Sequence, residues 1–298
     1  MGQFRRRLLL VHAHPDDETI ATGGTIARYA ADPDTDVTLV TCTLGEQGEV
    51  MVPELAGLAA DQADQLGGYR IGELAAACAA LGLSDQRFLG GVGRWRDSGM
   101  VVAAGGRATA PPPERLHPRA FSAPEARDEQ TRALAKIMAE VRPQVVVGYD
   151  PSGGYGHPDH VRAHEIAMAA AAEATSVRKV YWTVAPRGAV ADGLAALAGA
   201  TERGLPWRLA GPDELASVPD DTVTTRLDVA AVLGAKLAAL RAHATQLGVW
   251  QHAEQRAFAL TNEVAVPVLD TEYFTLVGAA GAAGASPETD LFDGIEPA

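Results

Sequence analysis

The sequence predicts an α/β fold of the Rossmann-like type, in which a mostly parallel sheet carries helices on both faces and a smaller C-terminal lobe follows. Short apolar runs alternate with longer helix-like segments over the first two thirds of the chain, the pattern of strands joined by crossover helices. The chain has 298 residues, 47% apolar and 21% charged, so a large core can be buried. We therefore expect a main domain over residues 1–185 and the lobe over residues 186–298.

Six runs are expected to form strands. The first, at residues 8–12, is a compact leucine-rich run that follows three arginines, and it is too short for a signal segment or a membrane span. The second, at residues 36–42, is rich in residues that favour strands. In chain order, the predicted strands cover residues 8–12, 36–42, 87–89, 144–149, 179–184 and 273–277.

Five helix-like segments separate or follow these strands. Residues 59–81 are largely helical in pattern, with Gly67 and Gly68 inviting a break. Residues 124–141 are amphipathic, and the next helix has proline at its first turn, the position where proline is best tolerated. The predicted helices cover residues 23–31, 59–81, 124–141, 158–174 and 228–243. We expect the last helix to pack back on the main domain, residues 101–119 to form a surface loop, and residues 278–298 to form a frayed tail.

The chain is acidic, with 25 basic and 38 acidic residues and a formal charge of −13. Such a chain is a poor general binder of nucleic acid or anionic membranes, and it weakly favours a neutral or cationic small substrate. Cys42 and Cys78 lie in apolar runs and are expected to be buried free thiols in a reducing compartment. We expect a cytoplasmic protein without nucleic-acid or membrane partners, and the sequence leaves its oligomeric state open.

Two short segments of the same plan carry the candidate chemistry. HPDD at residues 14–17 follows the first predicted strand, HPDH at residues 157–160 comes soon after the fourth, and each opens a helix. In an open α/β sheet, ligands bind outside the carboxyl ends of the strands, where the winding reverses, so the two segments should meet in one crevice. That crevice would hold His14, Asp16, Asp17, Tyr155, His157, Asp159 and His160.

Three imidazoles and three carboxylates in one crevice suit Zn²⁺ or Fe²⁺ better than Mg²⁺ or Ca²⁺. A catalytic ion usually takes three protein ligands and keeps a place for water, which leaves other groups for acid–base work. Either segment alone is more typical of a helix cap, but the repetition after two strands favours a metal site. The spacing alone decides neither which three residues bind the ion nor whether the ion is zinc or iron.

HPDDE at residues 14–18 and GHPDH at residues 156–160 together resemble the N-acetylglucosaminyl-phosphatidylinositol de-N-acetylase-like family. The likeness covers most of the chain, including LGE at residues 44–46 and HATQ at residues 243–246. The resemblance implies a zinc-dependent deacetylase with a Rossmann-like fold. Three further stretches look like the branch of the family that works in mycothiol biosynthesis: DQLGGYR at residues 64–70, GRWRDSGM at residues 93–100 and GGYG at residues 153–156.

The resemblance also implies a role for each residue of the crevice. It makes His14, Asp17 and His160 the ligands of Zn²⁺, with Fe²⁺ as the other ion that this ligand set suits. It makes Asp16 the general base that takes a proton from the attacking water.

For the substrate, the resemblance implies N-acetyl-glucosaminyl-inositol, an acetylated aminosugar joined to inositol. Tyr155 and His157 would stabilise the transition state. As an imidazolium, His157 would either protonate the leaving amine or add positive charge nearby. Glu49, Arg70 and Asp97 would face the sugar hydroxyls.

Three other functions are weighed against this one. An amidase that cleaves mycothiol S-conjugates would have a nearly identical metal site, although TIAT at residues 19–22 looks more like the biosynthetic enzyme. A nucleotide-binding protein would need a glycine-rich loop after the first strand, where this chain has carboxylates that repel pyrophosphate. A non-catalytic sugar binder would not need three histidines and a spare aspartate.

Overall fold

The computed structural model describes residues 5–102, 108–211, 213–279 and 287–295. The described chain forms a seven-stranded sheet with helices on both faces, and a smaller four-stranded sheet built from the second half of the chain. This architecture confirms the α/β prediction. No helix within the described ranges is both long and apolar enough to cross a bilayer.

The main sheet has the strand order β3-β2-β1-β6-β7-β13-β9. The five strands from β3 to β7 run parallel, and β13 pairs antiparallel with both β7 and β9. The predicted neighbours, the first strand and the strand near residue 145, do pair, with Leu8 opposite Val145. The strands of this sheet are β1 (Arg6–His12), β2 (Thr35–Thr41), β3 (Asp85–Phe88), β6 (Val145–Gly148), β7 (Lys179–Val184), β9 (Thr225–Asp228) and β13 (Thr271–Ala279).

Side chains of β1 alternate between two cores because successive residues of a strand point to opposite faces. Leu8 and Leu10 pack with α1 and α2 on one face, while Leu9 and Val11 pack with α3 and α5 on the other. All four are fully buried, which explains why β1 has no alternating polar residues. The helices are α1 (Asp17–Ala30), α2 (Leu66–Ala80), α3 (Arg127–Val141), the single turn α4 (Gly153–Gly156), α5 (Pro158–Glu173), α6 (Arg187–Ala196) and α7 (Leu233–Ala242).

The chain after residue 185 builds the small sheet, of order β10-β11-β12-β8, and also returns to the main sheet through β9 and β13. Helix α7 packs against α1 and α2. Residues after 185 thus supply strands to both sheets. The expected division into two domains at residue 185 stays a prediction. The remaining strands are β4 (Val101–Val102), β5 (Ala108–Thr109), β8 (Arg208–Leu209), β10 (Gly248–His252), β11 (Gln255–Ala259) and β12 (Val264–Pro267).

Several predicted elements need correction. Helix α1 begins at Asp17 rather than at residue 23, and residues 59–65 lie outside α2. Helix α7 begins at Leu233 instead of residue 228, because β9 occupies residues up to Asp228. The surface loop at 101–119 contains the β4–β5 pair, and its residues 103–107 lie outside the described chain.

The predicted frayed tail is also wrong where the structure describes it. Leu291 and Phe292 are buried in the core beside Tyr29, and the Asp290 carboxylate accepts a hydrogen bond from the Tyr29 hydroxyl at 2.9 Å. Arg6 in β1 lies 3.3 Å from Asp290, so the two ends of the described chain meet on the main sheet. The sequence signal for this packing is the apolar pair Leu291 and Phe292 within a stretch of otherwise small and polar residues.

Candidate metal centre and active site

The two His-Pro-Asp segments meet because β1 and β6 are parallel neighbours in the sheet. HPDD continues from the carboxyl end of β1 into α1, and HPDH follows β6 and the single turn α4 into α5. Helices α1 and α5 lie on opposite faces of the sheet, so the winding reverses between these two strands. The crevice predicted from sequence therefore lies at the switch point of the sheet.

Three donor atoms at this point form a nearly equilateral triangle. Asp17 Oδ2 lies 3.2 Å from His14 Nδ1 and 3.3 Å from His160 Nε2, and the two nitrogens are 3.3 Å apart. A tetrahedral ion with bonds of about 2.0–2.1 Å requires donors about 3.3 Å from one another. The donor set of His14, Asp17 and His160 therefore fits Zn²⁺ or Fe²⁺ in chemistry and in spacing.

Each imidazole of this triangle is oriented through its other nitrogen. His14 Nε2 lies 3.3 Å from Asp159 Oδ2, and His160 Nδ1 lies 3.2 Å from the carbonyl oxygen of Gly153. Gly153 has a φ of 63°, and a Cβ built there would lie 2.7 Å from the Cβ of His160. The glycine thus permits the close approach that fixes the His160 ring, as metal-binding histidines generally require.

Asp17 is held by two donors besides the imidazoles. Its Oδ2 accepts hydrogen bonds from the Tyr149 hydroxyl at 2.8 Å and from the backbone N–H of His14 at 2.9 Å. Burial opposes the charged form, yet the neighbouring His160 and His14 hold the pKa of Asp17 well below its usual range. The donors keep this carboxylate ionised, as a metal ligand needs to be.

The electrostatics around His14 favour a positive charge. Burial opposes it, but Asp97, Asp159 and Asp17 raise the pKa of His14 well above its ordinary value. Two wider groups of donor atoms also cluster here, one formed by His14, His157 and His160 and the other by His14, Asp97 and Asp159. The excess of carboxylates over cations is what a site for a divalent ion requires.

Asp16 lies beside the triangle without belonging to it. Burial raises the pKa of its carboxyl to about 6, although Arg70, with Nη2 at 3.1 Å from Oδ2, acts in the opposite direction. A carboxylate with a pKa near neutral is suited to taking and returning a proton. The backbone of Asp16 is unusual, with a φ of 112°.

His157 differs in one respect from the expectation drawn from the family. Its Nδ1 accepts a hydrogen bond from the backbone N–H of Asp159 at 3.1 Å. Burial, together with the neighbouring His14 and His160, lowers the pKa of His157 to about 2. The ring is therefore a neutral imidazole with its proton on Nε2, rather than the expected imidazolium.

Tyr155 stands at the opening of the site, and 43% of its surface is exposed. Its ring packs edge-on against His160, with 5.1 Å between centroids, and against His157 at 6.1 Å. The tyrosine, on the single turn α4, is placed where an incoming ligand would meet it.

The three residues expected to face a sugar lie in different environments. Arg70 is buried and donates to the carbonyl oxygens of Gly45, at 2.7 Å, and Pro15. Asp97 is buried and accepts hydrogen bonds from the N–H groups of Gln47 and Gly99. Only Glu49 has an exposed side chain. The sugar contacts of all three stay predictions.

Two residues at the site, Asp159 and Tyr149, have no role that the sequence predicts. Asp159 was placed in the crevice without a function, and its Oδ2 binds His14 and the backbone N–H of Ser98. The sequence pattern gives Tyr149 only as the end of a strand, whereas its hydroxyl donates to Asp17. The sequence signal for both is weak: Tyr149 lies at a strand end and Asp159 at a helix start, each close to a His-Pro-Asp segment. Their spacing along the chain does not show which side chains they contact.

A cavity of about 370 Å³ lies beside the donor triangle, within the size range of small-molecule sites. Asp17, Tyr155 and His160 line one end of it. Its other walls are largely apolar and come from β7, residues 215–218 and β12. The lining does not include His14, Asp16 or His157.

The model of one protein family, described as GlcNAc-PI de-N-acetylase, matches residues 9–171. This match spans more than half of the chain and includes both HPD segments. The chain belongs to the GlcNAc-PI de-N-acetylase family. A family member from Saccharopolyspora erythraea, named 1D-myo-inositol 2-acetamido-2-deoxy-alpha-D-glucopyranoside deacetylase 1, is 57% identical over 97% of this chain and 94% of its own. A deacetylase of the same substrate name from Actinosynnema mirum is 56% identical over 97% of each chain.

Solved structures share the fold of this family member at low sequence identity. A deacetylase of teicoplanin biosynthesis, in complex with teicoplanin, aligns with 93% of this chain and 100% of its own, with a TM-score of 0.55 and 17% identity. GalB, the 4-carboxy-2-hydroxymuconate hydratase of Pseudomonas putida KT2440, aligns over 94% and 100%, with a TM-score of 0.54 and 18% identity. One fold thus carries both a deacetylase and a hydratase, so the fold alone does not decide the reaction.

Proposed function

We propose that this chain hydrolyses the acetamide of 1D-myo-inositol 2-acetamido-2-deoxy-α-D-glucopyranoside, giving acetate and the free amine in mycothiol biosynthesis. The observation that carries the chemistry is the donor triangle of His14, Asp17 and His160, with the carboxylate of Asp16 beside it and outside it. The substrate comes from relatives that are 50–57% identical over nearly the whole chain and share this substrate in their names.

His14, Asp17 and His160 would hold Zn²⁺, or Fe²⁺ as the working ion, because imidazole and carboxylate suit both. When bound, such an ion polarises a carbonyl group and lowers the pKa of water to about 7. Asp159 and the Gly153 carbonyl orient the two imidazoles, so that Nδ1 of His14 and Nε2 of His160 face the ion.

Asp16 acts as the proton carrier. It is ionised at neutral pH, since its pKa is about 6, and it takes a proton from the water that attacks the acetyl carbon. The C–N bond then breaks, its electron pair stays on the sugar nitrogen, and the protonated Asp16 returns its proton to that nitrogen. The second proton of the water, left on the acetic acid, passes to the amine, so acetate and an ammonium group leave and Asp16 is again a carboxylate.

His157 and Tyr155 supply hydrogen-bond donors to the oxygen that gains negative charge. The neutral His157 carries its proton on Nε2, because Nδ1 is occupied by the N–H of Asp159. The exposed Tyr155 offers its hydroxyl at the cavity opening. Donors that face developing charge are the logic of an oxyanion hole.

The three residues expected at the sugar, Glu49, Arg70 and Asp97, take different roles in this proposal. Glu49, whose side chain is exposed, is the candidate for direct contact with hydroxyl groups. Arg70 is buried against Asp16 and Pro15, so we assign to it the orientation of the base. Asp97 lies 3.6 Å from His14 Nε2 and adds negative charge around that imidazole.

Hydrolysis of mycothiol S-conjugates is the second reaction that this site permits, because the scissile bond is also an amide of the glucosaminyl nitrogen. The relatives named for the acetamido sugar favour the deacetylase.

Cys42 and Cys78 are both buried free thiols, which fits a reaction in the reducing cytoplasm.

Acetate release from the acetamido sugar, measured with metal analysis of the same sample, tests the proposal. We expect release that is abolished by a chelator and restored by Zn²⁺ or Fe²⁺. Cleavage of a thioether conjugate of mycothiol, without acetate release, would instead establish the amidase.

A further inference from the structure

Asp16 has a backbone conformation that an aspartate rarely adopts. Its φ of 112° and ψ of −35° lie outside both the right-handed and the left-handed helical regions. A residue persists in such a conformation only where the surrounding contacts enforce it. Since Asp16 is the proposed base, the contacts that enforce its conformation bear on catalysis.

The backbone N–H of Asp16 donates to Glu18 Oε2 at 2.9 Å. The other carboxylate oxygen of Glu18, Oε1, accepts hydrogen bonds from His243 Nε2 at 2.8 Å and from the Thr19 hydroxyl at 2.5 Å. Glu18 and His243 are fully buried. Both oxygens of Glu18 are therefore engaged in a site without solvent, one of them on the peptide of the base.

His243 comes from a distant part of the chain, directly after α7. Its segment is fixed separately by Glu73 of α2, whose carboxylate accepts the backbone N–H of Thr245 at 2.8 Å and the Thr245 hydroxyl at 2.7 Å. Among the described residues, His243 Nδ1 has no hydrogen-bond partner. The polar contacts of this imidazole with described residues are thus made by Nε2, with Glu18 at 2.8 Å and with the Thr19 hydroxyl at 3.4 Å.

The carboxylate of Asp16 and the carbonyl end of the preceding peptide are both held by Arg70. Arg70 Nη2 lies 3.1 Å from Asp16 Oδ2 and also donates to the Pro15 carbonyl oxygen. Arg70 cannot by itself hold the Asp16 N–H, because a guanidinium has no acceptor. Glu18 holds the N–H of this peptide, while Arg70 holds its carbonyl oxygen, that of Pro15.

We propose that Glu18, anchored by His243, is a positioning residue that holds the peptide of Asp16 so that its carboxylate faces the reacting water. Without the acceptor on Glu18, the buried N–H of Asp16 loses its partner and Arg70 alone holds this peptide. The Asp16 backbone can then relax toward an ordinary negative φ, which swings the carboxylate away. The inference rests on the proposed function, which gives Asp16 the role of base.

Three variants separate positioning from charge. Glu18→Ala removes the acceptor, and we expect kcat for acetate release to fall about 10- to 100-fold, as a displacement of about 1 Å commonly causes. KM and bound zinc should stay unchanged. Glu18→Gln keeps an amide oxygen for the Asp16 N–H and should retain kcat within about threefold. His243→Ala leaves Glu18 unanchored and should fall between the two.

Glu73→Ala is the matched control, because Glu73 is also a buried carboxylate that binds the segment 243–246 but does not contact Asp16. It should lower the thermal midpoint and leave kcat within about twofold. Hydrogen exchange of the Asp16 amide gives a readout that needs no turnover. Its protection should be lost in Glu18→Ala and kept in Glu18→Gln and Glu73→Ala.

Two results would overturn the inference. One is an unchanged kcat in a folded, zinc-loaded Glu18→Ala; the other is an Asp16 amide that exchanges equally fast in the unaltered protein and in that variant. A protein that releases no acetate refutes the proposed function instead, and the exchange measurement still decides whether Glu18 holds the peptide.

Discussion

Asp159 Oδ2 lies 3.3 Å from His14 Nε2, on the side of the ring opposite to Nδ1. The same oxygen accepts the backbone N–H of Ser98 at 2.9 Å, and Asp159 is fully buried. The carboxylate therefore fixes the tautomer of His14 that presents Nδ1 to Asp17 and His160. A carboxylate that orients a histidine through its second nitrogen is common at zinc sites.

Replacement of this carboxylate should weaken metal binding without removing a ligand. We expect Asp159→Asn to reduce zinc affinity about 10- to 100-fold, because an amide is a poorer acceptor for the His14 N–H. Competition with a chromophoric chelator measures the change. An affinity equal to that of the unaltered protein would show that Asp159 does not orient the imidazole.

Gly153 should be required for the position of His160. In Gly153→Ala the new Cβ would lie 2.7 Å from the Cβ of His160 and 2.8 Å from the backbone nitrogen of Val161. We expect the imidazole to be displaced and zinc affinity to fall about tenfold or more.

Gly154→Ala is the matched control for that substitution. Gly154 also has a positive φ, of 74°, but a Cβ there meets nothing within 4 Å. Both substitutions place a Cβ at a residue with positive φ, and melting temperatures report the backbone cost of each. A similar loss of zinc in both variants would attribute the effect to backbone strain instead of the contact with His160.

The roles of base and ligand should separate in a pair of substitutions. Asp16→Asn keeps the shape of the side chain and should retain zinc while turnover falls about 10²- to 10⁴-fold. His160→Ala removes a corner of the donor triangle and should lose the ion. Metal content and acetate release on the same preparations check both. Near-normal turnover in zinc-loaded Asp16→Asn would exclude Asp16 as the base.

Acid should inactivate the enzyme through Asp16. Burial raises the pKa of this carboxyl to about 6, so the ionised base is present above that pH and is lost as the pH falls through it. A bound cation favours the carboxylate further, which places the acid limb of kcat/KM at or below about pH 6. The pH dependence of kcat/KM at saturating metal tests this, and an acid limb above pH 7 would contradict it.

The sequence predicts the crevice well because its residues follow directly from strand ends. Leu8–Val11 form an apolar run that could only be a buried strand, and His14 must leave from its carboxyl end. The neighbour of that strand follows from the winding of parallel sheets, and the pairing of Leu8 with Val145 confirms it. Local pattern and topology together suffice to bring His14 and His160 to one edge.

Contacts made across the fold could not be predicted in the same way. The pairing of Glu18 with His243 joins residues 225 apart, and no periodicity of either segment indicates it. The buried orientation of Arg70 depends on the turn at Gly45, where a Cβ would collide with the guanidinium. The strands β9 to β12 were missed because they are only four or five residues long and lie between turns.

The contact between Arg6 and Asp290 holds together the first and the last described stretches of the chain, close to their outer ends. A linker between those ends would change the order of the elements along the chain without changing which elements touch. Circular permutation with new ends at the exposed, open turn of Gly204 should therefore preserve the donor triangle. Zinc binding by such a permutant would show that the site depends on the layout of the sheet, and not on the order in which its strands are synthesised.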